Sequence, residues 1–310
     1  MFGWLQRGGK APGWLAVTFD EARLEFAHAR RTRAGGAEVA RFAARDLDEG
    51  RSQIERVARE LKLGRYQCST MLRAGEYDVL LVDAPNVPRA EMKSALRWKV
   101  KGMVDYSMEE ATVDFLTVPA AASGEGRAPQ LYAVLARNDL LQARVREFDE
   151  AGIPLAAIDI PDTAQRNIAA LYQSEERGVA LAYFGRNLGL LTISHRDELY
   201  LTRRLELGVE ELAEDVDAAE GGAHERVVLE IQRTLDHFER QFRNLAVGKL
   251  LLAPTGRPTR LREILGERFE MPVQEIDLAE VLAFDGPKPD EQTQWRLFHH
   301  FGAALRDIAP

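Results

Sequence analysis

The side chains able to do chemistry are few in this chain, and they are scattered. Gly8-Gly9-Lys10 has the residue types of a phosphate site, but no phosphate loop accompanies it. His299 and His300 are adjacent, so on a helix they face different directions and make a poor metal site. Cys68 is the single cysteine, which excludes an intramolecular disulfide and a cysteine-based zinc site and fits a reducing compartment. No Ser/His/Asp or Cys/His arrangement pairs a nucleophile with a base. The strongest basic cluster, His28 to Arg33, reads as the solvated end of a hairpin ahead of a contact with anionic lipid. One aromatic stands out as a binding residue: Trp98, with small neighbours Ala95 and Gly102 on the same side of its predicted helix.

Composition narrows the function classes further. A chain of 310 residues can bury more than one core, and 45% hydrophobic with 29% charged residues is ordinary for a globular protein. Its formal net charge of -8 argues against nucleic acid as a partner, since that affinity comes largely from Lys and Arg neutralising phosphates. No run approaches the ~20 apolar residues that span a bilayer. Residues 1–10 lack an apolar stretch followed by a small-residue cleavage site and are expected to be a tail.

The elements that must position these residues fall into three groups. Strand-like runs at 14–19, 23–30 and 39–43 make an antiparallel meander with turns at Asp20-Glu21-Ala22 and Gly35-Gly36, followed by a helix over 50–63 and strands at 67–72 and 77–82. A second meander occupies 179–184, 188–194 and 198–205, and then come an acidic run over 209–225 with a loop at Gly221-Gly222, a long helix over 225–245, a strand at 249–253, a helix over 257–268 and a strand at 272–276. Two meanders each feeding helices predict a duplicated, two-lobed α/β fold. A linker over 284–290 leads to a last helix from Gln292 to about Ile308, whose Trp295, Phe298, Phe301 and Leu305 pack back onto a lobe.

Between the meanders lies a small module. After the punctuation Asp83-Ala-Pro-Asn-Val-Pro88, the apolar residues Met92, Leu96, Val100 and Met103 place a helical stripe over 89–104. Strands at 111–118 and 130–136, a Pro/Ala/Gly/Ser connector at 119–129, a helix over 139–151 and a strand at 153–160 follow. Asp162-Thr-Ala-Gln165 reads as a helix N-cap with a glutamine three residues on. The expected boundaries are 1–83 for the first part of lobe one, 84–158 for the module, 159–176 for lobe one resumed, 177–291 for lobe two and 292–310 for the terminal helix.

"APNVP" and "ALRWKVK", the Asp105-Tyr106 stop, "ATVDF", "IDIP" followed by "AQRNIAAL", and "EIQRTLDHFERQF" resemble the actin-like PilM family of type IV pilus assembly proteins, over about 14–281. Within it the pattern is most similar to the MshI subgroup of mannose-sensitive haemagglutinin (MSHA) pilus biogenesis. The resemblance implies a two-lobed, FtsA/PilM-type actin-like fold of RNase H-like lobes with an inserted α/β module. It also implies a place for ATP between the lobes, cradled by one turn from each meander and a glycine-rich turn ahead of a helix. Such a site needs glycines where backbone N–H groups approach phosphate, and a carboxylate to organise magnesium. The matching turns depart from that pattern. The first reads Thr18-Phe19-Asp20, replacing the aspartate by threonine and the glycine by an acid, with Asp20 more naturally a turn residue than a displaced ligand. The second, Tyr183-Phe184-Gly185, keeps the glycine and loses the carboxylate, with Arg186 beside it able to offer charge to an anion. The third has Pro254 and Thr255 where glycines belong, then Gly256, and proline removes an N–H donor.

The expected protein is therefore a non-enzymatic scaffold, a pseudo-ATPase with degenerate nucleotide-binding turns that needs no cofactor. By the resemblance, it is cytoplasmic, at the inner face of the bacterial inner membrane. It would reach the membrane through the N-terminal tail of a PilN-type bitopic protein, held in a groove beside the module and lobe one, and would contact other pilus assembly proteins. Trp98 is the expected anchor, against the alternative that it packs on its own module's sheet. A nucleotide-gated ATPase using ATP and magnesium with the same partner is the second reading, and a sugar-kinase-type enzyme the third.

Overall fold

The computed structural model describes residues 10–307 apart from 21, 34–35, 48–50, 120–128, 174–175 and 216–221. The expected tail over 1–9, most of the 119–129 connector, Glu21, Gly35 and Gly221 lie outside the described residues. Strand-length apolar-rich runs separated by turn residues make β1 (Trp14–Phe19), β2 (Arg23–Arg31) and β3 (Ala37–Asp46) an antiparallel meander. Asp20 closes its first hairpin as an Asx turn, its Oδ1 accepting the N–H groups of Ala22 and Arg23 at 2.9 and 3.0 Å. Helix α1 (Arg51–Glu60) buries Ile54, Val57 and Ala58 and returns the chain to β4 (Gln67–Met71), parallel to β1.

The second meander, β9 (Gly178–Phe184), β10 (Gly189–His195) and β11 (Glu198–Leu205), is followed by α5 (Val209–Glu214), α6 (Ala223–Gln241), β12 (Val247–Leu252), α7 (Leu261–Arg268) and β13 (Val273–Glu275). Its sheet has the order β11-β10-β9-β12-β13. The first sheet runs β14-β3-β2-β1-β4-β8, with β8 at Leu155–Asp159 and β14 at Ala283–Phe284, and apart from the added edge strand β14 the two lobes repeat one topology, as the paired meanders predict. In both, the polar connection of a strand end to a parallel neighbour requires a crossover helix.

Tertiary pairing redraws the boundaries. The module is a three-stranded sheet of β5 (Asp78–Asp83), β7 (Gln130–Arg137) and β6 (Ala111–Thr117) in the order β5-β7-β6, covered by α2 (Met92–Lys99). It thus includes β5, which the boundary at 83/84 assigned to lobe one. It excludes β8, which pairs in parallel with β4. Helix α3 (Asn138–Glu150) leads the chain out of the module, and its Phe148 is buried 4.8 Å from the ring of Phe19 in the core of lobe one. Likewise β14 (Ala283–Phe284), at the start of the expected linker, pairs with β3 of lobe one, after the short helix α8 (Leu278–Val281).

Helix α2 is shorter than the 89–104 stripe predicts. A 3-10 turn occupies Arg89–Glu91, Leu96 and Val100 are fully buried, and the chain then turns through Gly102 at φ +83°, which leaves Met103 50% exposed instead of on the buried face. The helix over 161–170, α4 (Pro161–Ala170), begins with Pro161 at its first position and Ile160 as cap, so Asp162 is not the N-cap. Both Asp162 and Gln165 turn inward instead, because buried groups of the opposite lobe need partners. Helix α7 starts four residues later than predicted because Pro258 and the left-handed Arg260 precede it. The last helix, α9 (Glu291–Ala304), crosses α4 where Gly302 meets the backbone of Ala164.

Candidate functional site: the interlobe cleft and the outer face of the module

Helices α4 and α9 lie between the lobes and carry the groups that join them. Gln165 on α4 is fully buried, and its amide nitrogen donates to Leu181 O, Leu190 O and Thr192 Oγ1 of lobe two at 2.6, 3.1 and 3.1 Å. Asp162 accepts from Tyr77 Oη at 2.6 Å and from Thr202 Oγ1 at 2.5 Å, tying the start of the module to β11. These contacts are why the capping pattern fails: a buried carbonyl or hydroxyl without a partner costs more than a helix cap contributes.

A cleft of about 610 Å³ opens between the lobes. Thr18 of the first turn and Tyr183, Gly185 and Arg186 of the second all line it, together with Arg73, Arg204 and the end of α9. The hydroxyl of Thr18 is engaged by His300 Nε2 at 2.7 Å, and the Gly185 N–H donates to Leu188 O at 2.9 Å. Tyr183 stacks on Phe298 with centroids 5.4 Å apart. Burial pushes the imidazole of His299 down to about 3, with neighbouring His300 adding to the effect, and that of His300 down to about 4. Both rings are therefore neutral at physiological pH. Burial likewise raises the Tyr183 phenol, so it acts as a neutral hydroxyl.

The other named positions sit elsewhere. Pro254, Thr255 and Gly256 line a separate cavity of about 370 Å³. Trp295 stands between the turns: its indole N–H donates to Phe184 O at 2.8 Å, and a β-carbon on Gly256 would come within 3.1 Å of its ring. Gly256, at φ +65°, is thus required by conformation and by space. Asp20 lines a cavity with Glu25 that adjoins the cleft and shares Thr18, Arg73 and Arg186 with it, and its Oδ2 accepts from Arg73 at 2.9 Å. Both oxygens of Asp20 are engaged, as a turn aspartate's would be.

No group of three or more His, Cys, Asp or Glu among the described residues could hold a metal ion. The first turn presents a hydroxyl bonded to His300, and the third a proline. The sequence pointed to the turns but not to α9, whose Trp295 bonds the second turn and whose His300 bonds the first. Their signal was the aromatic stripe, which told of burial and not of which lobe it faced.

Trp98 is 76% exposed, so it does not pack on its own sheet; its ring is met by Lys101 Nζ at 5.7 Å from the centroid. Ala95 is half-buried beside it, whereas Gly102 lies past the helix end, with open space around it. The module also touches lobe two, where Tyr132 Oη donates to Tyr200 O at 3.2 Å and Val118 joins the core. Among the described residues no helix is long and apolar enough to cross a membrane.

Residues 39–226 match the family model described as "Type IV pilus assembly protein PilM". Among solved structures, the "PilM-PilN type IV pilus biogenesis complex" superposes with a TM-score of 0.69 at 18% identity, covering 96% of this chain and 99% of that one. A Bacteroides thetaiotaomicron protein "with actin-like ATPase fold and unknown function" gives a TM-score of 0.50 at 9% identity, covering 96% and 99%. No curated protein matches. The fold of the chain is that of the actin-like proteins.

Proposed function

This chain belongs to the PilM family of type IV pilus assembly proteins, and from that premise we propose that it is a nucleotide-independent scaffold that holds the cytoplasmic tail of a PilN-type inner-membrane protein. The partner is taken from the similar PilM-PilN complex; fold alone would not supply it. The MSHA pilus, an MshI-type role and a position at the inner face of the inner membrane, reached through that bitopic partner and shared with other pilus assembly proteins, complete the proposal.

The observation that carries the scaffold reading is the state of the three turns. Thr18 is bonded to His300, Trp295 fills the space beside Gly256, and Pro254 faces a different cavity from Thr18 and Tyr183. Trp98 serves the tail as an exposed aromatic anchor on the module, where an extended peptide would add main-chain hydrogen bonds.

Calorimetric titration with a PilN-type tail peptide, with and without ATP and magnesium, tests this. The scaffold reading expects the same affinity in both, and a loss of about ten-fold or more in Trp98→Ala with the melting temperature unchanged. Tail binding that requires ATP and magnesium would instead establish the nucleotide-gated ATPase. Unaltered binding by Trp98→Ala removes that residue from the interface.

A further inference from the structure

A second recess, of about 530 Å³, lies in lobe two between β11 and α6. Arg204 is the residue it shares with the interlobe cleft, and that guanidinium is already engaged by the carbonyl and the ring of Tyr77. The helix wall is a stripe of Arg226, Leu229, Glu230 and Arg233, and the strand wall adds Arg203 and Glu206. Leu229 is 44% exposed in the middle of that stripe, although Val227, Val228 and Ile231 of the same helix are buried.

In a chain of net charge -8, this recess is lined by four arginines against two glutamates. Glu230 serves two of them, accepting from Arg203 at 2.5 Å and from Arg233 at 3.1 Å. Arg226 pairs with Glu211, which stands outside the lining, and Glu206 pairs with no arginine of the recess. With 53% and 66% of their side chains exposed, Arg226 and Arg233 keep N–H donors facing solvent after these pairs are made. An incoming carboxylate can therefore be bound without breaking a pair.

The spacing of the stripe selects the occupant. Arg226 and Arg233 are seven residues apart, about 10 Å along the helix. One small anion does not reach both, and Leu229 between them offers it nothing. An amphipathic helix repeats at the same interval: acids at i and i+7, with an apolar residue at i+3 or i+4, match the stripe charge for charge.

We infer that this recess is a docking site for an acidic amphipathic helix of a partner protein, with two carboxylates on Arg226 and Arg233 and an apolar side chain on Leu229. Arg203 neutralises Glu230, so the acid on the stripe does not repel the partner. The site goes beyond tail binding. It lies on lobe two, whereas the tail is assigned to the module and lobe one, so one chain can hold both.

Calorimetry on the full chain tests this with a synthetic Ala-based helix of about 18 residues that carries Glu at i and i+7 and Leu at i+4. Saturable binding is expected, with Kd below about 1 mM, and none for the same peptide with Lys in place of both Glu. Affinity should fall about ten-fold or more in the double variant Arg226→Gln, Arg233→Gln, and about three-fold or more in Leu229→Ala. All three side chains are exposed, which leaves the core untouched. No saturation by the Glu peptide to about 1 mM overturns the inference, as does equal binding of the Lys peptide or affinity that the variants leave unchanged. Displacement by inorganic phosphate at the peptide's own concentration shows a small-anion site and also overturns it. The tail peptide is expected to bind these variants with unaltered affinity. Loss of tail binding there would put the tail in this recess and overturn the second site, whereas a tail that binds nowhere would sink the scaffold reading and leave this one standing.

Discussion

The crossing of α4 and α9 sets the angle between the lobes, and Gly302 is the residue that lets the helices meet. A β-carbon at Gly302 would lie 2.2 Å from the carbonyl oxygen of Ala164 and 2.7 Å from its carbon. That is short of an ordinary contact of ~3.5 Å by more than an ångström. Backbone must move to admit it, and α4 is poorly placed to move: Gln165 is bonded to three groups of lobe two, and Asn167 Nδ2 donates to Gly302 O at 2.9 Å. Alanine would gain roughly 1 kcal/mol in helix propensity. Against this stands overpacking of about 3 kcal/mol, the upper end for a forced backbone shift, so Gly302→Ala should lose about 2 kcal/mol net, or about 3 °C in melting temperature for a chain of 310 residues. Gly266 in α7 is the matched control, because a β-carbon there has nothing within 4 Å. Gly266→Ala should gain up to ~1 kcal/mol from propensity alone. Urea unfolding of both variants gives the comparison. If Gly302→Ala proves as stable as Gly266→Ala, the crossing does not depend on close backbone approach and the reasoning fails.

Two further outcomes follow from the same region. His300 is buried with its pKa pushed down to about 4, against about 6.5 when unfolded, so the unfolded chain takes up a proton that the folded one refuses. The stability carried by the neutral ring is complete above about pH 6.5 and is lost as pH falls towards 4; at pH 5 the loss is about 2 kcal/mol. His300→Gln should remove about that much of the difference in unfolding free energy between pH 7 and pH 5, and an unchanged difference would refute the assignment. Gln165→Leu keeps the volume but leaves Leu190 O and Thr192 Oγ1 without their donor. A cost of about 1–3 kcal/mol is expected by denaturant titration, and a neutral result would mean that other groups or water satisfy the joint.

Much of the architecture was legible before any coordinates. Strand-like runs punctuated by turn residues gave both meanders, the 3.6 period gave α6 with Val227, Ile231 and Phe238 buried, and Asp20 was readable as a turn residue because its side chain bonds locally. The residue types at Thr18, Tyr183 and Pro254 were equally visible, and the titration with and without ATP and magnesium tests what was read from them. Local signals of this kind depend on neighbours within a few positions, which a sequence displays.

Where burial was concerned, the sequence stated that a face would be covered and was silent on what covers it. The strand at 155–159 carries no mark that distinguishes β4 from β7 as its partner; the parallel register with β4 decided. Asp162 and Gln165 have the types and spacing of a cap, yet buried groups of the other lobe claim them. The aromatic stripe of α9 was plain, but only the fold put Trp295 between Phe184 and Gly256 and His300 on Thr18. Four arginines spread from position 73 to 296 share one cavity because two lobes close around it. Chain order determines local conformation, whereas contacts between residues tens to hundreds of positions apart depend on burying every apolar face at once.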